Sequence, residues 1–149
     1  MTPRVYFDAC CLNRPFDDPS QLRIRLEAEA VMSLLRAAEL GGLVWVSSNA
    51  LSFEVSRCPD EVRREAVAAI LEAAHEHVDA SASMIARARD LASKGFGLMD
   101  ATHMAVAEGS SVDVLLTTDD PFRKRAGRLR PKSSVRVVNP VSYAEEVLR

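Results

Sequence analysis

The chain predicts a three-layer α/β/α domain with a central parallel sheet of about five strands. Three observations lead there. Short apolar runs alternate with segments of helical period along the whole length. The runs are unbroken rather than alternating, which suits strands covered on both faces. The 149 residues have the size of one domain, and no repeat, linker or low-complexity stretch divides them.

Arg4 to Asp8 is the first strand, built on Val5-Tyr6-Phe7. A polar loop, Asn13-Arg14-Pro15-Phe16-Asp17-Asp18-Pro19, follows it. Ser20 is the expected N-cap of a long helix reaching Leu40. On that helix Ile24, Ala28, Val31, Leu35 and Ala38 recur at helical spacing, while Arg25, Glu29, Arg36 and Glu39 lie off the stripe. Gly41-Gly42 ends it. Leu43-Val44-Trp45-Val46 is the second strand, and Ser47 to Arg57 a short helix. Pro59 breaks that helix, and another runs from Asp60 to about His75. A short third strand is expected at Val78. Ser81 or Ser83 caps a helix that stops at Lys94-Gly95, and Gly97-Leu98-Met99-Asp100 opens one ending at Gly109. Val112 to Thr118 is the fourth strand, and Asp120 or Pro121 starts a basic helix. Val135-Arg136-Val137-Val138 is the fifth strand. Asn139-Pro140 then opens the last helix, with proline at its first position.

Hydrophobic residues are 48% and charged residues 27% of the chain, the balance of a soluble globular domain. The apolar runs fall far short of the ~20 residues of a membrane span, and Met1-Thr2-Pro3-Arg4 leads straight into a strand, so no signal peptide is expected. Cys10, Cys11 and Cys58 are odd in number, with two adjacent, which argues against a disulfide framework and for a reducing, cytoplasmic setting. No Cys or His pair has zinc-ligand spacing, and His75 and His77 are read as helix-terminal cations. The net charge of −2 argues against a strongly basic nucleic-acid binder. The average hides a basic block, Arg123, Lys124, Arg125, Arg128, Arg130, Lys132 and Arg136, with no acid among them. Such a block attracts phosphates or forms a solvated loop.

Asp8, Glu54, Asp100 and Asp119 each fall where a strand ends or a helix begins. In an open parallel sheet the carboxyl ends of strands form the ligand crevice. With the first strand central and the fourth beside it, Asp8 and Asp119 flank the point where the strand order reverses. Carboxylates gathered there repel one another unless a cation or a shared proton intervenes. Mg2+ and Mn2+ prefer carboxylate and water oxygens. An ion so held lowers the pKa of a bound water and neutralises charge developing on a phosphodiester. Each acid also has an ordinary structural reading. Asp8 can cap the next turn, Asp100 can sit in a first helical turn favoured by the dipole, and Glu54 can pair with Arg57. Of Asp119 and Asp120, either can be the ligand and the other a helix cap.

Four segments carry a resemblance: Val5-Tyr6-Phe7-Asp8-Ala9-Cys10, Ser52-Phe53-Glu54-Val55, Gly97-Leu98-Met99-Asp100-Ala101-Thr102-His103-Met104-Ala105 and Leu116-Thr117-Thr118-Asp119-Asp120-Pro121-Phe122. In order and content they resemble the four acidic motifs of PIN-domain nucleases, the last two most specifically. The resemblance implies a PIN-like fold and Mg2+- or Mn2+-dependent cleavage of RNA, with Asp8, Glu54, Asp100 and Asp119 as the ligand acids. Many small members of that family, similar to the virulence-associated protein C group, are toxins of toxin–antitoxin pairs. An antitoxin partner and a homodimer are therefore expected, the helix from Ser20 to Leu40 being a plausible contributor to the dimer.

The chain departs from the pattern at Cys10, where the family often has Ser, Thr or Asn. A thiol is a weaker hydrogen-bond partner than a hydroxyl, so Cys10 either supports the site weakly or marks altered activity. Asp120 leaves the register of the fourth motif open, although Phe122 favours Asp119. His103, one turn after Asp100, is a partly buried histidine with one hydrogen bond or a support of the metal ligands. Thr117 and Thr118 can hydrogen-bond a ligand acid or a phosphate, or are ordinary strand residues. Arg14, Arg123, Lys124 and Arg125 are candidate RNA contacts; Arg14 can equally brace its loop. Trp45 is core. Two further readings stay open. One is a non-catalytic module that binds RNA or protein. The other is an aspartyl phosphotransferase with Asp8 as nucleophile. Haloacid-dehalogenase-like enzymes of that second kind carry another Asp where this chain has Cys10, and the nearest lysine after the fourth strand is Lys124.

Overall fold

In the computed structural model of the chain, which describes residues 1–148, five strands form the sheet. They are β1 (Arg4–Phe7), β2 (Val44–Ser48), β3 (Glu76–Val78), β4 (Val114–Leu116) and β5 (Arg136–Val138). Every pairing is parallel and the order is β3-β2-β1-β4-β5. Val5, Tyr6 and Phe7 are consecutive and all fully buried. Successive strand side chains point to opposite faces, so helices must cover both sides of β1. This is the expected three-layer α/β/α domain with a parallel sheet.

The chain steps outward from β1 to β2 to β3, then returns to lay β4 on the other side of β1. The reversal between β1 and β4 opens a crevice beyond their carboxyl ends. In the core Phe7 and Trp45 pack edge to face, 5.6 Å between centroids. Burying a side chain such as Phe7 stabilises the fold by about 2–3 kcal/mol.

Eight α-helices lie among the described residues: α1 (Ala9–Asn13), α2 (Leu22–Glu39), α3 (Asn49–Ser56), α4 (Glu61–Leu71), α5 (Ala82–Ser93), α6 (Leu98–Gly109), α7 (Asp120–Gly127) and α8 (Pro140–Val147). Several start as the sequence predicts. Ser81 caps α5 through the Met84 N–H, and Asn139 caps α8 through the Val141 N–H with Pro140 at the first position.

Other expectations need correction. The expected polar loop from Asn13 to Pro19 is in part regular: Asn13 closes α1, which the Asp8 cap and the burial of Ala9, Cys11 and Leu12 support, and Arg14–Phe16 form a 3-10 turn. Ser20 is not the N-cap of α2. Its N–H donates to Asp18 Oδ1, and Gln21 holds the cap position without a side-chain bond. The buried stripe of α2 is rotated onto Glu27, Ala30, Val31, Leu34 and Ala38. The second strand runs to Ser48 rather than Val46. The fourth is shorter than Val112 to Thr118, because Thr117 and Thr118 already turn toward α7. Helix α4 stops at Leu71, so His75 and His77 are not helix-terminal cations. His75 Nδ1 accepts a hydrogen bond from the Trp45 N–H at 2.9 Å, and His77 lies in β3. The basic block is divided between α7, β5 and a connection in which Leu129 and Val135 are buried.

Candidate active site

Asp8 follows β1 directly and is 5% exposed. Its Oδ1 accepts from the Ala9 N–H at 2.8 Å. Its Oδ2 accepts from the Thr117 hydroxyl at 2.9 Å and from the Cys10 thiol at 3.4 Å. The expected cap is therefore real, and only one oxygen serves it. Cys10 is tied in at both ends, since its sulfur also accepts from the Thr118 N–H at 3.3 Å. Thr117 passes the linkage on, its oxygen accepting from the Asp119 N–H at 3.1 Å.

Asp119 is the N-cap of α7, its Oδ1 accepting from the Phe122 N–H at 3.1 Å. Asp120 faces elsewhere. It pairs with Arg23 through both oxygens, at 2.9 and 3.0 Å, and that hydrogen bonding holds its carboxyl below the usual range. Of the two adjacent acids, Asp119 is the one linked to Asp8 through Thr117.

Asp100 enters from the first turn of α6 and Glu54 from α3. Burial and the charges of Asp8 and Asp119 push the Asp100 carboxyl up to about 6. The Asp8 carboxyl is also raised, chiefly by burial, against the opposing pull of His103 and Thr117. Glu54 Oε1 lies 2.8 Å from His103 Nε2, and Asp8 Oδ1 lies 3.9 Å from the same nitrogen. One ligand atom each from Asp8, Glu54 and His103 lies within 4.8 Å of the others. Glu54 does not pair with Arg57, whose guanidinium sits 5.6 Å from the Phe53 ring centroid.

His103 is fully buried and makes two hydrogen bonds, more than the sequence suggested. Its Nδ1 lies 2.6 Å from the Tyr6 hydroxyl, which lies 2.6 Å from Ser48 Oγ. Burial works against a charged imidazole here, but the Glu54 bond and the charges of Asp8 and Asp100 outweigh it and raise the His103 pKa. Tyr6 and Ser48 had no signal in sequence. Tyr6 lies in an apolar run, and its partner is 97 residues away.

Among the described residues, none of the four acids is paired with Lys or Arg; His103 is the one cation-forming side chain in reach. The surrounding acids differ. Asp17 pairs with Arg14 and Arg63, and the buried Glu27 with Arg14 and Arg23. Asn139 Nδ2 donates to the same Glu27 at 2.6 Å. Arg14 thus has the contacts of a brace. Arg123 reaches Asp120 at 3.5 Å, Arg125 lies over the Phe96 ring, and Lys124 is exposed. The donor set is carboxylate oxygens with one imidazole, uncompensated by fixed positive charge, and it suits a divalent cation.

A family model described as PIN domain matches residues 5–128. Solved structures of the same fold include VapBC2 from Rickettsia felis bound to a DNA fragment from their promoter. It has 13% identity and a TM-score of 0.61, covering 91% of this chain and 98% of that one. FitAcB from Neisseria gonorrhoeae is similar, at 16% identity and a TM-score of 0.56, over 91% of this chain and 97% of its own. No curated protein sequence matches the chain significantly.

Proposed function

The chain belongs to the PIN domain family, and on that premise we propose that it is a Mg2+- or Mn2+-dependent ribonuclease that hydrolyses phosphodiester bonds. One observation carries the proposal: Asp8 and Glu54 gather at His103, the charges of Asp8, Asp119 and Glu54 act on Asp100, and among the described residues none of the four is ion-paired with Lys or Arg. Burial and neighbouring like charges raise the cost of ionising Asp100 and Asp8, and a divalent cation offsets that cost. Asp8, Asp100, Asp119 and Glu54 would hold the ion. When bound, it supplies an activated water and neutralises charge on the phosphodiester.

The chain's own groups do the positioning. Ala9, Thr117 and Cys10 fix the Asp8 carboxylate by three hydrogen bonds. The Asp119 backbone is tethered to Thr117, so the ligands contributed after β1 and after β4 move as one unit. His103 steadies Glu54. Asp120 is spent on Arg23 and belongs to the structural support of the site. Lys124, exposed in the last turn of α7, with Arg123 and Arg125 on the same helix, would attract the phosphate backbone. Arg14 is committed to Glu27 and Asp17 and has no part in that attraction.

The reading extends to a toxin held by an antitoxin, acting in the cytoplasm as a homodimer. The VapBC2 structure, solved bound to a DNA fragment from its promoter, offers the pattern. A short DNA-binding protein encoded beside this chain would be the partner. No helix among the described residues is long and apolar enough to cross a membrane.

The test is cleavage of single-stranded RNA by the purified chain with Mn2+ or Mg2+ and with a chelator. Cleavage with the ion, none with the chelator and none of a DNA strand of the same sequence is the expected result. Undiminished cleavage in the chelator sinks the metal mechanism. No cleavage by a protein whose melting midpoint responds to Mn2+ leaves a binding module instead.

A further inference from the structure

We propose that His103 is itself a ligand of the cation, through Nε2, beside Asp8 and Glu54, and that it gives the site a preference for Mn2+ over Mg2+. The inference rests on the metal-dependent reading above and adds a nitrogen to a site otherwise made of oxygens.

The geometry is that of ligands around one ion. Nε2 lies 2.8 Å from Glu54 Oε1 and 3.9 Å from Asp8 Oδ1. Around an octahedral ion with bonds of ~2.1 Å, neighbouring ligand atoms lie ~3 Å apart and opposite ones ~4.2 Å apart. The first separation is within about 0.2 Å of the neighbouring spacing and the second within about 0.3 Å of the opposite one. A brace for Glu54 would need only one N–H at hydrogen-bonding distance. It would not need a second carboxylate, on Asp8, close to the same nitrogen and too far for a hydrogen bond.

The other side of the ring is prepared for ligation. Nδ1 meets the Tyr6 hydroxyl, Tyr6 meets Ser48, and Ser48 Oγ accepts from the Leu51 N–H at 3.1 Å. Tyr6, Ser48 and His103 are all fully buried. The chain of hydroxyls can run in two directions. With Ser48 donating to Tyr6 and Tyr6 to Nδ1, Nε2 carries the ring proton and donates to Glu54. With Nδ1–H donating to Tyr6 and Tyr6 to Ser48, Nε2 turns a lone pair on the two carboxylates. The second arrangement is that of a ligating histidine, whose remaining N–H is held by a fixed partner. The neutral ring exchanges one tautomer for the other with no net gain or loss of a proton, and Glu54 is freed for the ion. Mg2+ favours all-oxygen shells, whereas imidazole suits transition ions better.

The test reads the metal, not the reaction. Mn2+ is added to the wild-type chain and its electron spin-echo envelope is recorded for 14N modulation. The proposal expects the coupling of one directly bound imidazole nitrogen, absent in His103→Gln. It also expects the ratio of Mn2+ to Mg2+ affinity, by calorimetry, to fall roughly tenfold in His103→Gln. Tyr6→Phe should keep the nitrogen signal and weaken Mn2+ binding by roughly tenfold. Should His103→Gln fail to fold, the wild-type spectrum and Tyr6→Phe still decide. Bound Mn2+ without 14N modulation overturns the ligand role and leaves the metal-dependent reading standing. A folded wild-type chain that binds no Mn2+ overturns both.

Discussion

The Thr117 hydroxyl donates to Asp8 Oδ2 at 2.9 Å, joining the ends of β1 and β4 across 109 positions of sequence. The same Thr117 oxygen receives the Asp119 N–H, so one side chain registers two of the four acids.

Thr117→Val keeps the shape of the side chain and removes that link. A buried carboxylate then loses a donor, at a cost of about 1–3 kcal/mol. Denaturant unfolding should show that loss, and RNA cleavage should fall with it. A variant as stable and as active as wild type would remove the clamp from the account.

The Asp100 carboxyl, pushed up to about 6, makes the metal-free protein sensitive to pH. In the unfolded chain it titrates near the ordinary value of about 3.9. Between the two values the folded form holds its proton more tightly. The group's contribution to stability is therefore complete below about 4 and fades as pH rises through about 6. Melting midpoints without metal should fall over that window, and Asp100→Asn should flatten the fall and raise the midpoint at about pH 7.5. The rise on adding Mn2+ should be larger at about pH 7.5 than at about pH 5.

Cys10→Ser supplies a stronger donor at the position where the thiol meets Asp8 and the Thr118 N–H. It should cleave RNA at least as fast as wild type. Cys10→Ala leaves that N–H without its partner and should lose about 1 kcal/mol of stability. A Ser variant less active than the Ala variant would show that sulfur has a role the hydrogen bonds do not explain.

Glu27→Gln leaves Arg14 and Arg23 without their shared carboxylate. Both arginines retain partial solvent contact, so the loss is below that of a fully buried pair, about 2–3 kcal/mol. Chemical denaturation is the measurement, and a change under about 0.5 kcal/mol would deny Glu27 its structural place.

The fold was legible because unbroken apolar runs and helical periods are local signals. Asp8, Asp100 and Asp119 could be singled out because each sits at an element boundary, as an N-cap or in a first helical turn; Glu54 lies inside α3, not at the boundary the sequence reading gave it. What escaped was encoded in tertiary packing. Glu27 sits in the middle of an amphipathic helix, and periodicity takes such an acid for a solvent-facing one; its partner Asn139 is 112 residues away. The Tyr6–His103 pair spans 97 residues and hides inside an apolar strand. Helix α1 has no sequence assignment because its five residues are too few to show a helical period. Its formation depends on the Asp8 cap and on burying Cys11 and Leu12 beneath the layer above.

The central claim is that carboxylates from separate segments act together on a phosphodiester through a divalent ion. Asp8→Asn tests it most directly, because Asn keeps the size of the side chain and an oxygen for the Ala9 N–H. With Mn2+ and single-stranded RNA, the account predicts a folded Asp8→Asn protein that cleaves at least about a hundredfold more slowly than wild type. A well-folded Asp8→Asn protein cleaving at the wild-type rate would contradict it.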